Sequence, residues 1–176
     1  MADTWFISDT HFNHKNIIKY CRPEFEDVEQ MNEHMIEQWN SVVKPDDRVI
    51  HCGDIMFGNK DYFTYNIFPR LNGSMELIIG NHDNVNFLVN RSIVRRVYMW
   101  MPFPSIEVVV SHVPLHVSQL ARGSKDRKSP AVNIHGHIHE KDSPEGPYIN
   151  ICPEKVGYTP LHIDEIAKMA RECSDD

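Results

Sequence analysis

The chain has 176 residues, with 18 lysines and arginines against 25 aspartates and glutamates, and a formal net charge of −7 at pH 7. This length fits one domain over residues 1–176 that can bury its core without a disulfide or a structural metal. The acidic balance excludes a broad cationic surface, which proteins that coat DNA or RNA need. Net charge therefore gives no support to nucleic acid as a partner.

The first nine residues, Met-Ala-Asp-Thr-Trp-Phe-Ile-Ser-Asp, contain no basic stretch and only a short apolar run. A signal peptide or a transmembrane helix needs a much longer apolar run. We therefore expect a cytoplasmic protein with no membrane partner. The cysteines form no Cys-x-x-Cys pair, so we expect reduced structural thiols and no zinc knuckle. They are Cys21, Cys52, Cys152 and Cys173.

Short apolar runs predict strands, and apolar residues at gaps of three and four predict helices. In chain order, the predicted elements are a strand at Trp5–Ile7, a helix at Val28–Val42 closed by Pro45, strands at Arg48–Cys52, Met75–Ile79, Ile93–Met99 and Ile106–Val110, the last two separated by a turn at Pro102 and Pro104, strands at Val132–His135 and Tyr148–Ile151, and a helix at Ile163–Arg171. Early strands alternate with helices and later strands follow one another. The pattern indicates an α/β fold with one mixed sheet or two packed sheets.

Polar side chains that ligate metals follow five of the predicted strands. They are Asp9 and His11, Asp54, the run Asn81, His82 and Asp83, His112, and the pair His137 and His139. In α/β sheets the functional crevice lies beyond the carboxyl ends of the strands, so residues far apart in sequence can meet there. Glycine precedes the polar residue at Gly53, Gly80 and Gly136, where it permits a close approach between chains.

Each of these groups alone is more typical of a turn or of surface histidines. Their joint occurrence, each behind an apolar run, predicts a metal centre. Carboxylate, amide and imidazole ligands without a thiolate suit Mn²⁺, Fe²⁺, Zn²⁺, Co²⁺ or Ni²⁺, and they are too many for one tetrahedral ion. The set therefore predicts two divalent ions. Such a pair can hold a bridging hydroxide and neutralise the charge of a phosphate during an in-line displacement.

The five blocks resemble the calcineurin-like metallophosphoesterases, whose pattern is Asp-x-His, Gly-Asp, Gly-Asn-His-Asp or Gly-Asn-His-Glu, a later His, and Gly-His-x-His. The resemblance extends from Asp9 to His139, and the chain is similar to the small single-domain bacterial or viral members. It implies a four-layer α/β/β/α sandwich of two mixed sheets. It also implies a metal-dependent phosphoesterase, for which we expect Mn²⁺ first, with Fe, Zn, Ni or Co as alternatives.

The resemblance also implies a role for each matching residue. One metal would be bound by Asp9, His11, Asp54 and His139, and the other by Asp54, Asn81, His112 and His137, with Asp54 bridging. His82 matches the general acid of the family, and Asp83 matches the carboxylate that orients it. Arg22 or His14 could reach the substrate phosphate, against the alternatives of a surface salt bridge for Arg22 and helix capping for His14. We expect His51 to be a buried, hydrogen-bonded histidine and not a further ligand.

The main hypothesis is a dinuclear phosphohydrolase in which a metal-bridging hydroxide attacks phosphodiesters of small or nucleotide-like substrates, with phosphomonoesters as a second substrate type. The expected partner is thus a small phosphorylated substrate. One alternative is a nuclease on nucleic-acid ends, supported only by the basic loop of Arg122, Lys125, Arg127 and Lys128. Another is a non-catalytic scaffold on the same fold, which the complete set of predicted ligands disfavours.

Overall fold

The computed structural model describes residues 2–120 and 131–175, and the basic loop predicted to bind nucleic acid lies outside them. The elements are, in chain order, β1 (Thr4–Ile7), α1 (Ile17–Cys21), α2 (Val28–Val42), β2 (Arg48–His51), α3 (Lys60–Tyr62) followed by a π-helical turn (Phe63–Ile67) and a 3₁₀ turn (Phe68–Arg70), β3 (Ser74–Ile78), α4 (Val85–Asn90), β4 (Val97–Tyr98), β5 (Trp100–Phe103), a 3₁₀ turn (Pro104–Ile106), β6 (Val108–Ser111), a 3₁₀ turn (Val117–Gln119), β7 (Val132–His135), β8 (Tyr148–Asn150), α5 (Pro153–Val156), β9 (Leu161–His162) and α6 (Ile163–Asp175).

The first sheet has the strand order β4-β3-β2-β1-β9. β1 to β4 run parallel, and β9 pairs with β1 in the antiparallel direction. α2 covers the outer face of this sheet, where its buried residues Met31, Met35 and Trp39 pack in one cluster with Val49 and Leu77 of the strands. The helix begins at a capping residue, because the side chain of Asp27 accepts a hydrogen bond from the backbone of Gln30. The prediction of a helix over Val28–Val42 is confirmed.

The second sheet has the order β5-β6-β7-β8, with β5 antiparallel and the other three strands parallel. Its inner face packs on the inner face of the first sheet, where Ile50 lies in one buried cluster with Val110 and Ile134. Ile166 of α6 adds to this core. On the outer face, the segment before the 3₁₀ turn Val117–Gln119 is held by side chains of the sheet. The backbone N–H of Leu115 donates to Oδ1 of Asn133 in β7, and its carbonyl oxygen accepts from the hydroxyl of Tyr148 in β8. The α/β class with two mixed sheets is confirmed.

Two predictions about the strands are wrong. The run Ile93–Met99 forms a strand only at Val97–Tyr98, because Ile93 and Val94 are core residues in an irregular segment. Pro102 does not mark a turn but lies inside β5, opposite Val109. This is possible because β5 is an edge strand, where a residue without an N–H need not break the ladder. Within residues 2–120 and 131–175, we find no helix with the length and apolar character to cross a bilayer.

Candidate metal centre

The predicted ligands all lie beyond the carboxyl ends of strands, at one end of the two sheets. Asp9 and His11 follow β1, Asp54 follows β2, Asn81 follows β3, His112 follows β6, and His137 and His139 follow β7. Five of these residues adopt left-handed backbone angles, with φ of 45° at Asp9, 46° at His11, 59° at Asp54, 72° at His137 and 52° at His139. Non-glycine residues in this region carry strain of about 1–3 kcal/mol each, which surrounding structure must hold.

Two glycines allow the loops to approach the carboxylates closely. A Cβ atom at Gly136 would lie 1.9 Å from Oγ of Ser8 and 2.1 Å from Oδ2 of Asp9. A Cβ atom at Gly80 would lie 2.2 Å from Oδ1 of Asp54. All three distances are far inside van der Waals contact. Glycine is therefore required at both positions by proximity to the predicted ligands.

Asp9 is fully buried and uses its two carboxylate oxygens differently. Oδ2 accepts hydrogen bonds from the hydroxyl of Ser8 and, at 2.8 Å, from the backbone N–H of His137. Oδ1 has no hydrogen-bond partner and lies 3.8 Å from Nε2 of His11 and 4.0 Å from Nε2 of His139. Burial opposes the charge, but hydrogen bonds and nearby histidines outweigh it and hold the pKa of Asp9 well below its usual value.

Asp54 divides its oxygens in the same way. Oδ1 accepts a hydrogen bond of 2.8 Å from the backbone N–H of His82. Oδ2 lies 3.6 Å from Nε2 of His11 and 3.6 Å from Nε2 of His112. One oxygen is thus equally close to imidazoles from the two halves of the predicted centre.

His112 is held in the tautomer that leaves Nε2 free to bind a cation. Its Nδ1–H donates to the carbonyl oxygen of Cys52 at 2.8 Å, so Nε2 of the neutral ring carries a lone pair. This Nε2 lies 3.0 Å from Oδ1 of Asn81 and 3.2 Å from Nδ1 of His137. Acceptor atoms that converge in this way are typical of a metal position.

In His139 and His11, the Nδ1 nitrogen, which faces away from the predicted metal positions, contacts another side chain. Nδ1–H of His139 donates to Oε1 of Glu154 at 3.1 Å, and Nδ1 of His11 lies 3.3 Å from Nδ1 of His14. A carboxylate partner such as Glu154 orients a metal-binding imidazole and selects its tautomer. Glu154 was missed by the sequence analysis, although it also follows a predicted strand and could have been found by the same rule.

The donor set fits a pair of divalent cations. Ligand atoms of Asp9, His11 and His139, and those of Asp9, Asp54 and His112, each lie within 4.8 Å of one another. Oδ1 of Asp9 and Nε2 of His11 are buried without a hydrogen-bond partner, which is costly unless a cation satisfies them. The structure therefore brings the predicted ligands together in an arrangement that can hold metal.

The prediction that Arg22 reaches the substrate phosphate is wrong. Arg22 is fully buried, and its guanidinium donates to the carbonyl oxygens of Asp9 at 2.6 Å and Thr10 at 2.9 Å. Its Nε donates to Oε1 of Glu154 at 2.7 Å. The ring of Tyr158 lies against the guanidinium, with the centroid 5.6 Å from Cζ. All of its donors therefore serve the fold beneath the site.

The predicted role of Asp83 also changes. Its Oδ2 accepts backbone N–H groups of Asp54 at 2.9 Å and Gly80 at 2.8 Å, and its Oδ1 accepts the N–H of Ile55 at 3.0 Å. The carboxylate thus secures the turn that carries Asp54 and does not orient the imidazole of His82. The ring of His82 is exposed and lies 5.6 Å from the ring of His11, measured between centroids.

An open cleft of about 580 Å³ leads to these residues. Its lining includes His11, His14, Tyr20, Phe57, His82 and His139. Tyr20 is 71% exposed and Phe57 41%, and the ring of His14 stacks on Phe57 at 4.3 Å between centroids. Burial and repulsion from His11 lower the pKa of His14 to about 4, so this ring is neutral near pH 7. Contact between His14 and a substrate phosphate stays a prediction.

Comparison with known proteins finds chains that are similar to this one along most of its length. An uncharacterised protein of Methanocaldococcus jannaschii, MJ1445, is 32% identical over 96% of this chain and 92% of its own length. The gene 66 protein of Mycobacterium phage L5 is 30% identical over 79% of this chain and 78% of its own. The crystal structure of AQ665 from Aquifex aeolicus, a protein of unknown function, matches with a TM-score of 0.69 and 27% identity, covering 96% of this chain and all of that one.

The sequence model of the calcineurin-like phosphoesterase superfamily domain matches residues 3–150. This range contains all of the predicted ligands and both sheets apart from β9. Family, fold and the converging donor atoms therefore agree, and the chain is a member of the calcineurin-like phosphoesterase superfamily.

Proposed function

We propose that the protein is a dinuclear metal-dependent phosphodiesterase acting on small, nucleotide-like substrates, with phosphomonoesters as a second substrate type. The observation that carries this proposal is the position of Oδ2 of Asp54, 3.6 Å from Nε2 of both His11 and His112. A carboxylate oxygen between two imidazoles is typical of a ligand shared by two ions.

We assign the residues to two metal positions that share Asp54. Asp9, His11, Asp54 and His139 would hold one ion, and Asp54, Asn81, His112 and His137 the other. Bound there, the two ions would supply Lewis acidity, neutralising phosphate charge and activating a water molecule as the nucleophile. Oxygen and imidazole ligands without a thiolate can bind Mn²⁺, Fe²⁺, Zn²⁺, Ni²⁺ or Co²⁺. Among these we expect Mn²⁺ first, as the family resemblance implies.

We assign His82 the role of the general acid. Its ring is exposed in the cleft beside His11, while its backbone N–H is committed to Asp54. The side chain is therefore free to give a proton to the departing alkoxide, while the backbone holds the bridging carboxylate. General acids of this kind contribute about 10²–10⁴ in rate when the leaving group is poor.

The cleft supports a small substrate with a planar group. Its volume of about 580 Å³ lies in the range of small-molecule sites. Exposed rings of Tyr20 and Phe57 on the cleft wall offer faces on which a nucleobase can stack. These features favour a nucleotide-like phosphodiester.

Turnover of bis(4-nitrophenyl) phosphate after metal removal and reloading tests the proposal. We expect activity with Mn²⁺, loss of activity with a chelator, and recovery when Mn²⁺ is restored. Asp9→Asn should lose most of the turnover, and exposed Glu145→Gln should keep it. Undiminished turnover in protein shown by elemental analysis to contain no metal would refute the proposal. No turnover with any of the five metals would favour the scaffold alternative.

The nuclease alternative depends on the basic loop outside the described residues. Neutralising Arg122, Lys125, Arg127 and Lys128 together should leave small-substrate kinetics unchanged if our proposal holds. A nuclease that uses this loop would instead lose affinity for single-stranded DNA. The slope of log affinity against log salt would then fall by about one for each phosphate contact removed.

A further inference from the structure

A buried ion pair lies directly beneath the half of the site formed by Asp9, His11 and His139. Nε of Arg22 donates to Oε1 of Glu154 at 2.7 Å, and the two side chains are 0% and 5% exposed. Glu154 lies in α5, beyond the residues matched by the family model. Glu154 therefore adds to the site from a part of the chain that carries none of the predicted ligands.

Each member of the pair contacts a different predicted ligand. Oε1 of Glu154 accepts from Nδ1–H of His139 at 3.1 Å. The guanidinium of Arg22 donates to the backbone carbonyl of Asp9 at 2.6 Å, within the strained turn after β1. The contacts thus run from His139 through Glu154 and Arg22 to Asp9, and join ligands from the two sheets.

The remaining contacts hold the carboxylate in place. The thiol of Cys21 donates to Oε1 of Glu154 at 3.4 Å, and Oε2 is buried without a hydrogen-bond partner. The three hydrogen bonds to Oε1, from Arg22, His139 and Cys21, restrict the orientation of this buried carboxylate.

We propose that Glu154, held by Arg22, is a positioning residue that fixes His139 in the Nδ1–H tautomer with Nε2 toward Asp9, and so selectively supports metal binding by the Asp9–His11–His139 half of the site. The proposal rests on the proposed metal assignment. Its physical reason is that a carboxylate can only accept from Nδ1–H, which leaves the lone pair of the imidazole on Nε2.

Metal titration of Glu154→Ala and Glu154→Gln tests the selectivity. We expect Glu154→Ala to weaken one of two bound Mn²⁺ ions by about 10–100-fold, the usual cost of removing an outer partner of a metal-binding histidine. Glu154→Gln should recover part of this loss, because its amide oxygen still accepts from Nδ1–H. Exposed Glu145→Gln serves as the matched control and should bind as the parent protein does. Circular dichroism confirms that each variant is folded.

Double variants identify which ion is affected. Glu154→Ala added to His139→Ala should weaken binding no further, because both changes act on the same ion. Added to His112→Ala, it should weaken both ions. Equal weakening of both ions by Glu154→Ala alone, or no weakening, would overturn the proposal. If the parent protein does not bind two ions, the metal assignment fails instead, so the two failures are distinguishable.

The tautomer of His139 gives a readout that does not depend on metal or activity. Side-chain ¹⁵N spectra are recorded at alkaline pH, where the imidazole is neutral. They should show His139 of the parent protein protonated on Nδ1, and a mixture of the two tautomers in Glu154→Ala. An unchanged His139 spectrum in Glu154→Ala would refute the positioning role even if metal affinity fell. Where Glu154→Ala fails to fold, Glu154→Gln and Arg22→Lys carry the same test with smaller expected shifts.

Discussion

His82 separates two functions within one residue, since its backbone N–H binds Asp54 and its ring faces the cleft. We predict that His82→Asn keeps both metals, because the backbone contact survives the substitution. Its kcat should fall by about 10²–10⁴ on alkyl phosphodiesters and much less on nitrophenyl esters, whose leaving group is stable as an anion. The measurement is kcat across phosphodiesters graded by leaving-group pKa, with metal content followed in parallel. Equal losses across the series would assign His82 to phosphate binding.

His51 lies in the core and carries a pH dependence of its own. Nε2 bonds to Oγ1 of Thr10 at 2.9 Å, and the side chain is fully buried, so the expectation of a buried, hydrogen-bonded histidine is confirmed. Burial lowers the pKa of His51 to about 3 from an ordinary value of 6.5, although the charge of Asp9 opposes the shift. Between these values the unfolded chain binds a proton that the folded chain does not, so acid destabilises the fold.

We predict that His51→Gln reduces this acid sensitivity. Glutamine can keep the hydrogen bond to Thr10 but does not titrate. From pH 6.5 toward pH 4, the free energy of unfolding should fall more steeply for the parent protein than for His51→Gln. The two slopes should differ by up to about 1.4 kcal/mol per pH unit. Urea unfolding at several pH values measures both curves. Parallel curves would show that the pKa of His51 is the same in the folded and the unfolded chain.

The sequence predicted the positions of some site residues correctly but not the roles of others. The predicted ligands could be found because each is a polar residue behind an apolar run. The roles of Arg22 and Asp83 could not, because their charged groups bind backbone atoms in loops whose paths are set by tertiary packing. A sequence gives the type of a side chain, but burial of that side chain depends on residues far along the chain. Arg22 was expected near a phosphate and is fully buried instead.

At the scale of elements, the spacing of apolar residues predicted a helix correctly where the helix was long enough. α2 has 15 residues, four helical turns, and its buried face was readable from the spacing of apolar residues. α1, α4 and α5 have 5, 6 and 4 residues, which is too short for a helical period to show. β9 has only two residues and is a strand because it pairs with β1. Short elements of this kind are formed by tertiary contacts.

A short helix and a loop line the cleft, and we expect their aromatic side chains to determine its substrate specificity. Tyr20 lies in α1, and Phe57 lies in the loop after β2. We predict that Phe57→Leu and Tyr20→Leu raise KM for thymidine 5′-(4-nitrophenyl phosphate), because stacking on a base contributes about 1–3 kcal/mol. The KM for ethyl 4-nitrophenyl phosphate, which has the same leaving group and no base, should change little.

Tyr62→Leu is the matched control for this prediction, since Tyr62 is exposed but does not line the cleft. It should leave both KM values unchanged. Equal effects of Phe57→Leu on both substrates would show that Phe57 supports His14 and His82, whose rings it contacts, and does not bind a base.

At the scale of the whole molecule, the site joins the two sheets. Asp9, Asp54 and Asn81 come from the first sheet, and His112, His137 and His139 from the second. A ligand that binds only the folded chain stabilises it, by about 2.7 kcal/mol at a concentration one hundred times its Kd. A cation held by both sheets would therefore oppose their separation.

We predict that Mn²⁺ at one hundred times its Kd raises Tm by about 5–10 °C for each site filled, given about 2–4 °C per kcal/mol for a domain of this size. Asp54→Ala should abolish the shift, since its side chain would serve both ions. His112→Ala should keep part of it. Scanning calorimetry with and without chelator measures these shifts. A full shift in Asp54→Ala would refute the assignment of Asp54 as the bridging ligand.

The joining of the sheets by ligand loops has a consequence for the abundance of the protein in a cell. Proteases cut the opened form of a chain, and the population of that form falls as binding stabilises the native state. The strained ligand turns are costly when no cation holds them, so the opened form becomes more populated as the ion becomes scarce. Metal starvation should therefore shorten the half-life of the protein, in addition to removing its proposed activity. The amount of protein present should follow the metal supply.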